Sequence, residues 1–215
     1  MKNKLLLLLF LLGVVFPLSA QESEVLISTS HTSLLLSTSQ GGELKFLYYG
    51  RKLTDADVHA IVSTESGSFS AYSVYGLNCP SESALSVQHE DGNMTLQMEV
   101  IGVETTHQEK ANLTVISLKD KVYPFYVKLC YKAYQDVDVI EAWTEISHKE
   151  KKNVKLNQFA SAYLPVRKGN VWLSSLYGAW ANEARLGQEP LEPGMKVIKN
   201  KDGVRNSHTA HAEVM

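Results

Sequence analysis

Two glutamates and a tryptophan form the first arrangement in the sequence that could do chemistry. Glu141, Trp143 and Glu145 are spaced two apart, so on a β-strand their side chains share one face. Paired carboxylates beside an aromatic ring can serve as acid and as base or nucleophile in the cleavage of glycosidic bonds. At a strand rise of about 3.3 Å per residue, however, the carboxylates stand about 13 Å apart, which exceeds either geometry of that chemistry. We therefore interpret these residues as part of the solvent-exposed face of a strand.

Other motifs for catalysis or metal binding are incomplete or missing from the sequence. His208 and His211 are three apart, which on a strand directs them to opposite faces, and no further metal ligand lies near them in sequence. The sequence contains no Gly-x-Ser-x-Gly nucleophile elbow, no His-Glu-x-x-His zinc motif and no Gly-x-Gly-x-x-Gly dinucleotide loop. We therefore expect no metal and no cofactor in this chain.

The most unusual stretch is residues 177–183, which read Tyr-Gly-Ala-Trp-Ala-Asn-Glu. It follows a predicted strand, and we interpret it as a loop hinged at Gly178. A tryptophan on such a loop suits stacking against the apolar face of a sugar ring, while neighbouring amides and charges bind the hydroxyls. The alternative is that Trp180 is a core residue that seals one end of the fold, because large aromatic side chains are mostly buried. The residues alone leave both interpretations open.

The elements that must position these residues are β-strands. Apolar residues recur with period two, most clearly over residues 125–133 and 140–147, and the polar residues 135–138 between them predict a hairpin. The pair Asp91-Gly92 predicts a second hairpin. No helix is predicted beyond the N-terminal segment, so the fold class is all-β, an antiparallel sandwich or barrel. Further strands are predicted over residues 25–29, 33–38, 44–49, 58–64, 85–89, 95–101, 113–118, 154–164 and 171–176.

The overall composition excludes several classes of protein. The 215 residues are 44% hydrophobic and 20% charged with a net charge of -2, which is typical of a globular protein and argues against a nucleic-acid partner. Two cysteines are too few for a disulfide-rich miniprotein. Cys79 and Cys130 are either bridged, in an oxidising compartment, or two separate buried thiols.

The first twenty residues have the order of a secretory signal peptide. Lys2 and Lys4 precede an apolar run over residues 5–15, Pro17 breaks the run, and small residues lead to a cleavage point after Ala20. The run is short for a membrane span; the alternative is an uncleaved N-terminal anchor. We expect a domain over residues 21–215 that is periplasmic or extracellular and has no membrane contact after cleavage.

Five blocks of sequence occur in a fixed order along the second half of the chain, namely residues 140–147, 159–162, 178–183, 190–194 and 203–208. Residues 48–50 and 71–76 add two shorter blocks. Together they resemble the N-terminal domain of glycoside hydrolase family 36 α-galactosidases. The resemblance covers most of the mature chain and is strongest over residues 139–208.

The resemblance implies a fold and an activity. It implies an antiparallel β-supersandwich, of the galactose-mutarotase-like type, that is incomplete at its C-terminal end because the chain stops before any barrel strand. Enzymes of this family hydrolyse terminal α-linked galactose with retention of configuration. Their catalytic aspartates belong to a central (β/α)₈ barrel, so the chain alone is expected to be inactive.

The resemblance also implies site residues and partners. Trp180 matches the family's pocket tryptophan, a wall of the galactose site, with Gly178 and Glu183 as supporting residues of the same loop. Asp55 and Asp57 lie where the family has an acidic residue near the sugar, and neither is assigned that role. The expected partners are α-galactoside sugars and further copies of the chain. The alternatives are a free-standing carbohydrate-binding β-sandwich and an assembly scaffold that binds no ligand.

Overall fold

The computed structural model describes residues 23–64, 69–76, 82–166, 169–179, 181–194 and 196–198. The chain divides into two compact units, one ending at Pro165 and the other beginning at Val166, and the domain over residues 21–215 stays a prediction. In the described part no helix is both long and apolar enough to cross a membrane. Several predictions fall outside the described residues: the signal peptide, Cys79, Trp180, His208 and His211.

The first unit is built from antiparallel sheets, which confirms the predicted fold class. Its elements are β1 (Ser23–Ser28), β2 (Thr32–Thr38), β3 (Leu44–Arg51), α1 (Asp55–Ser63), β4 (Phe69–Ser70), β5 (Leu85–Gln88), β6 (Met98–His107), β7 (Ala111–Asp120), β8 (Phe125–Tyr134), β9 (Val139–His148) and β10 (Lys155–Phe159). One sheet has the order β1-β2-β3-β4, a second has the order β6-β7-β8-β9, and β5 pairs with β10.

The core of this unit lies between the two four-stranded sheets. Alternate residues of each sheet point inward, as the period of two predicts, and together they form one hydrophobic cluster. The first sheet contributes Ile27, Leu36 and Phe46, and the second contributes Ile116 and Phe125, all of them buried. A fully buried side chain of this size contributes about 1.5–3 kcal/mol, so this interface supplies most of the stabilisation of the unit.

The hairpin of β8 and β9 is formed as predicted. The strands pair along their whole length, from Phe125 opposite His148 to Tyr134 opposite Val139. Phe125, Val127 and Leu129 are buried on the inner face. The alternation in sequence therefore identified the strands, their pairing and the face that enters the core.

The prediction of a strand over residues 58–64 is wrong, because this segment forms helix α1. Thr54 caps the helix: its hydroxyl accepts from the Asp57 backbone N–H, and the Asp57 carboxylate accepts from the Thr54 N–H at 2.9 Å. The Thr54 hydroxyl also donates to the Asp57 carboxylate at 2.7 Å, and this hydrogen bond, together with that from the Thr54 N–H, lowers the pKa of Asp57. Leu53 and Val58 flank the cap and pack in one small cluster with Leu35, an arrangement known as a hydrophobic staple. The capping box followed by apolar residues at helical spacing was the signal for this helix.

Thr54→Ala is expected to lower the free energy of unfolding by about 1 kcal/mol, because it removes the side chain that satisfies a free N–H of the first helical turn. Urea unfolding followed by circular dichroism measures the difference. Thr64→Ala, at the other end of the helix, is a control in which no N-terminal donor loses its acceptor. A loss for Thr54→Ala below about 0.3 kcal/mol contradicts the capping role.

The second predicted hairpin is wrong in its pairing, although its turn exists. The Gly92 N–H donates to the His89 carbonyl, and Gly92 has the positive φ of 90° that this turn requires. The strand before the turn, β5, pairs with β10, however, and β6 pairs with β7. A local turn signal specifies a reversal of the chain but not which strand it will meet.

The turns at one end of the sandwich are tied together by Asp138. Its carboxylate accepts hydrogen bonds from the hydroxyls of Thr29 and Thr32 and from the His31 backbone N–H, which joins the β1–β2 turn to the β8–β9 turn. The Thr29 hydroxyl is the main cause of a lowered pKa of Asp138. This linkage stabilises the fold while the carboxylate is ionised and is lost as the pH falls through its folded-state pKa.

Candidate functional site

The second unit presents a β-hairpin that contains the residues singled out in sequence. It pairs β11 (Trp172–Ala179) with β12 (Asn182–Pro190), in a register that begins with Trp172 opposite Pro190. The interpretation of residues 177–183 as a loop hinged at Gly178 is therefore wrong, because β11 continues to Ala179 and β12 begins at Asn182. Residues 182–190 do not alternate between apolar and polar side chains, so the sequence did not predict a strand there. The segment adopts the extended conformation because its backbone pairs with β11.

The described strands of this hairpin end on either side, in sequence, of the predicted sugar-binding residue. Ala179 pairs with Asn182, so only residues 180 and 181 connect the two strands. Ala181 has a φ of 59°, a left-handed conformation that tight hairpin connections use and that alanine adopts at a cost. Gly178 is buried within β11, and Glu183 lies in β12. The side chain of Glu183, like Trp180 itself, lies outside the described residues.

Polar groups lie on the same hairpin close to its tip. Arg185 Nε donates to Asn182 Oδ1 at 2.6 Å, which fixes the guanidinium beside the connection. The ring of Tyr177 lies over Gly187, where an added Cβ would meet the ring at 3.3 Å. A planar guanidinium, an amide and an aromatic ring are groups that bind sugar hydroxyls and sugar faces. The guanidinium of Arg185 and the amide of Asn182 are therefore the groups near the end of the pairing that suit sugar hydroxyls, whereas the Tyr177 ring lies farther from the tip, over Gly187.

Ala181→Gly is expected to stabilise the hairpin, because glycine adopts a positive φ without the Cβ clash of alanine. A gain of about 0.5–1 kcal/mol corresponds to roughly two- to fivefold slower hydrogen exchange of the β11 and β12 amides. Ser175→Gly, in the middle of β11, is the control, since glycine weakens an extended strand. Unchanged or faster exchange in Ala181→Gly contradicts the turn conformation.

Asp55 and Asp57, the two aspartates that lie where the family has an acidic residue near the sugar, differ in whether their carboxylates already serve the helix. The Asp57 carboxylate accepts from both the N–H and the hydroxyl of Thr54, so it serves the cap of α1. Asp55 lies in the first turn of the same helix and is exposed. If either aspartate contacts a ligand, Asp55 can do so without uncapping the helix.

The paired glutamates of β9 lie on the solvent-exposed face of the strand, as interpreted from the sequence. Glu141 accepts from the Tyr134 hydroxyl at 2.9 Å, and Glu145 accepts from Trp143 Nε1 at 3.2 Å. Both glutamates are exposed. Two carboxylates on the same face of one strand cannot lie on opposite sides of a glycosidic bond. This face therefore lacks the arrangement that glycoside hydrolysis requires.

A buried polar cluster, which sequence reasoning missed, lies where the turns after β5, β7 and β9 meet. His89 Nδ1 lies 2.8 Å from Glu150 Oε1, and the two side chains are 0% and 2% exposed. The Tyr123 ring stacks on the imidazole at 3.7 Å between centroids. Because the side chains of His89 and Glu150 are almost completely shielded from solvent, we assign the cluster a structural role.

The same end of the sandwich depends on a second buried carboxylate. Asp120 is 1% exposed; its Oδ1 accepts from the Val122 and Tyr123 N–H groups, and its Oδ2 accepts from the Gln97 N–H at 2.6 Å. This one carboxylate thus accepts hydrogen bonds from backbone N–H groups of both the β7–β8 turn and the segment before β6, which would otherwise lack an acceptor.

Other reactive groups of the first unit belong to its core. Cys130 is a free, buried thiol, and burial raises its pKa above the ordinary value. Burial also raises the pKa of Tyr131 to about 12. No cluster of three or more His, Cys, Asp or Glu side chains suited to a metal ion occurs in the described ranges.

Comparison with known proteins identifies the family. The family model for the glycosyl hydrolase family 36 N-terminal domain matches residues 42–215. The α-galactosidase Mel36A of Lactobacillus acidophilus is 29% identical over 104 residues, which are 48% of this chain and 14% of that protein.

Solved structures show the same fold. The chain is similar to the α-galactosidase AgaA of Geobacillus stearothermophilus in complex with raffinose, with a TM-score of 0.79, 20% identity, and coverage of 88% of this chain and 31% of that chain. It is also similar to the α-galactosidase of Lactobacillus brevis, with a TM-score of 0.76, 20% identity, and coverage of 91% and 31%. The chain thus spans less than a third of the length of these relatives. Its antiparallel sandwich and the match over residues 42–215 show that the chain belongs to the glycosyl hydrolase family 36 N-terminal domain family.

Proposed function

We propose that this chain acts as the N-terminal part of an α-galactosidase that hydrolyses terminal α-linked galactose with retention of configuration. The observation that carries the proposal is the family match over residues 42–215. Relatives with this fold include α-galactosidases in complex with raffinose and stachyose, two galactosides. The chain corresponds to about a third of those enzymes, and the proposal therefore concerns a shared active site.

The contribution of this chain to the sugar site is the tip of the β11–β12 hairpin. Trp180 forms a wall against which the galactose ring stacks, and Gly178 and Glu183 support the connection. Two features support this role: the strands pair up to Ala179 and Asn182, and Arg185 is held beside the tip by its hydrogen bond to Asn182. Strand pairing that continues to Ala179 and Asn182 gives firm support to a neighbouring group that must hold its position against a ligand.

The catalytic aspartates lie outside this chain, so the chain alone does not hydrolyse glycosides. Rate enhancement in retaining glycosidases needs two carboxyl groups about 5–5.5 Å apart on opposite sides of the bond. The exposed Glu141 and Glu145 share one face of a strand and are engaged by Tyr134 and Trp143.

A chromogenic α-galactoside assay on the purified chain tests whether the catalytic groups lie outside it. We expect no release of the chromophore above the uncatalysed rate. Turnover that disappears on Glu141→Gln or Glu145→Gln would place the chemistry in this chain and overturn the proposal. Lys155→Glu, a change on exposed strand β10, is the control for effects of altered charge.

We also propose that the protein is exported and that it assembles with further copies of itself. Export is supported by the order of charged, apolar and small residues over residues 1–20. Mass spectrometry of the exported protein is expected to find Gln21 as the first residue, and a mature protein that begins at Met1 contradicts cleavage.

A further inference from the structure

One face of the β11–β12 hairpin carries an aromatic ring that is both supported and accessible. The ring of Tyr177, on β11, lies against Gly187 of β12, where an added Cβ would meet the ring atoms Cε1 and Cδ1 at 3.3 and 3.4 Å. A residue larger than glycine at position 187 would therefore press on the ring. Tyr177 is nevertheless 41% exposed, so a ligand can reach the ring from the solvent side.

A bulge in β12 lies directly beside this ring. Between the pair Tyr177–Arg185 and the pair Ala179–Asn182, β11 advances by two residues and β12 by three. Ala184, inside the bulge, has a φ of 55°, a left-handed conformation that costs free energy in any residue with a Cβ. Bulges redirect side chains and are over-represented next to binding and catalytic sites, where backbone strain of this kind is also found.

The bulge brings a guanidinium to the side of the Tyr177 ring. Arg185 stands opposite Tyr177 in the register, and its Nε–H donates to Asn182 Oδ1 at 2.6 Å. In a regular strand the side chains of residues 182 and 185 would point to opposite faces, so the extra residue of the bulge allows this hydrogen bond. The bond uses one of the five N–H donors of the guanidinium and orients the plane that holds the other four.

This group of side chains has the chemistry of a sugar site. An aromatic ring packs against the apolar face of a pyranose, and the fixed fork of a guanidinium donates to neighbouring hydroxyls. The amide of Asn182 adds donors of its own next to the fork. A single guanidinium without a second cation provides little for an anion, whereas a ring, a fork and an amide together match a neutral ligand that has one apolar face and several hydroxyls.

We propose that Tyr177 and Arg185 form a subsite for the sugar that is linked to the terminal galactose of the substrate. At a strand rise of about 3.3 Å, Tyr177 lies about 7 Å along β11 from Ala179, where the pairing ends, which is comparable to the length of one sugar ring. The inference rests on the function proposed above, in which Trp180, the next residue, contacts the terminal galactose. It assigns to Tyr177 and Arg185 a preference for α-galactosides whose leaving group is itself a sugar.

Two α-galactosides with different leaving groups separate this subsite from the galactose site. Raffinose carries further sugar on its terminal galactose, whereas α-galactosyl fluoride carries a single fluorine atom there. Contacts with the remote part of a substrate act on kcat/KM, so loss of the subsite lowers kcat/KM for raffinose more than for the fluoride. The complete enzyme that contains this chain is assayed for release of galactose from raffinose and of fluoride from the second substrate. The quantity compared is the ratio of the two kcat/KM values.

Substitutions on the two faces of the hairpin are expected to affect this ratio differently. Tyr177→Ala and Arg185→Met are each expected to lower the ratio of raffinose to fluoride about tenfold. Tyr177→Phe keeps the ring and is expected to stay within about threefold of the wild-type ratio. Leu186→Ala is the matched control, because Leu186 adjoins Arg185 but is an exposed residue of the opposite face. Trp180→Ala is expected to lower both kcat/KM values together, since both substrates carry the terminal galactose.

The ratio distinguishes loss of the subsite from damage to folding, because a smaller fraction of folded enzyme lowers both kcat/KM values equally. Ratios within about threefold of the wild type in both Tyr177→Ala and Arg185→Met overturn the inference and leave the galactosidase proposal intact. An equal fall of the ratio in Leu186→Ala also overturns it, because the effect would then not belong to one face. A complete wild-type enzyme that hydrolyses neither substrate overturns the proposed function and this inference with it.

Discussion

Glu150→Ala is expected to lower the free energy of unfolding of the first unit by about 3–5 kcal/mol, the usual cost of removing one partner from a buried polar pair. The Glu150 carboxylate accepts from His89 Nδ1 at 2.8 Å and from the Glu90 N–H at 3.2 Å, and its side chain is 2% exposed. The variant leaves the buried His89 donor without an acceptor, and the N–H of the exposed Glu90 loses its partner as well. The Nε2 atom of His89 is also buried and has no partner, so the imidazole would then be entirely unsatisfied.

Urea unfolding monitored by circular dichroism measures this loss against two matched variants. Glu109→Ala removes an exposed glutamate and is expected to change stability by less than about 0.5 kcal/mol. The double variant with His89→Phe and Glu150→Met replaces the pair by apolar groups of similar size and is expected to recover most of the stability. A loss below about 1 kcal/mol in Glu150→Ala means that the pair does not hold the turns together.

Asp120→Ala is expected to cost about 3 kcal/mol or more, because three backbone N–H groups lose their acceptor at once. The N–H groups of Val122 and Tyr123 lie 2.8 Å from Oδ1. Asp120→Asn keeps one carbonyl oxygen but presents an NH₂ group to a backbone donor, so we expect a loss intermediate between those of the wild type and the alanine variant.

The same unfolding assay distinguishes these outcomes. Asp136→Ala, which removes an exposed aspartate of the β8–β9 turn, is the control and is expected to be nearly neutral. Hydrogen exchange adds a local readout: the Gln97, Val122 and Tyr123 amides are expected to lose protection in Asp120→Ala. Amides that stay protected in this variant would show that the carboxylate is not their acceptor.

The predictions from sequence succeeded where one period dominated a segment. The alternation over residues 125–133 and 140–147 identified β8, β9 and the faces that they turn toward the core, because a half-buried strand requires such a pattern. Helix α1 was missed because the apolar residues Val58, Ile61 and Val62 fit the pattern expected of a short strand as well as that of one turn of helix. Its capping box at Thr54 was the decisive local signal.

Two other features could not be read from local sequence. Strand β12 is polar and acquires its conformation from pairing with β11, and β5 pairs with β10 despite the turn that follows β5. The His89–Glu150 pair joins residues 61 positions apart in turns that only the assembled sheets bring together. The assignment of Trp180 to a sugar site came from the resemblance and stays a prediction; the described strand pairing ends at Ala179 and Asn182, on either side of it in sequence.

The central claim, that Trp180 belongs to a galactose site completed by a catalytic barrel, is tested most directly by kcat/KM for an α-galactoside. The measurement uses the complete enzyme that contains this chain and its Trp180→Ala variant. Loss of a stacking wall is expected to lower kcat/KM by roughly 30- to 100-fold, equivalent to about 2–3 kcal/mol of binding to the transition state. Trp172→Ala, an exposed tryptophan at the opposite end of the hairpin, is the control and is expected to leave kcat/KM within about threefold. Equal values of kcat/KM for the wild type and Trp180→Ala would contradict the account.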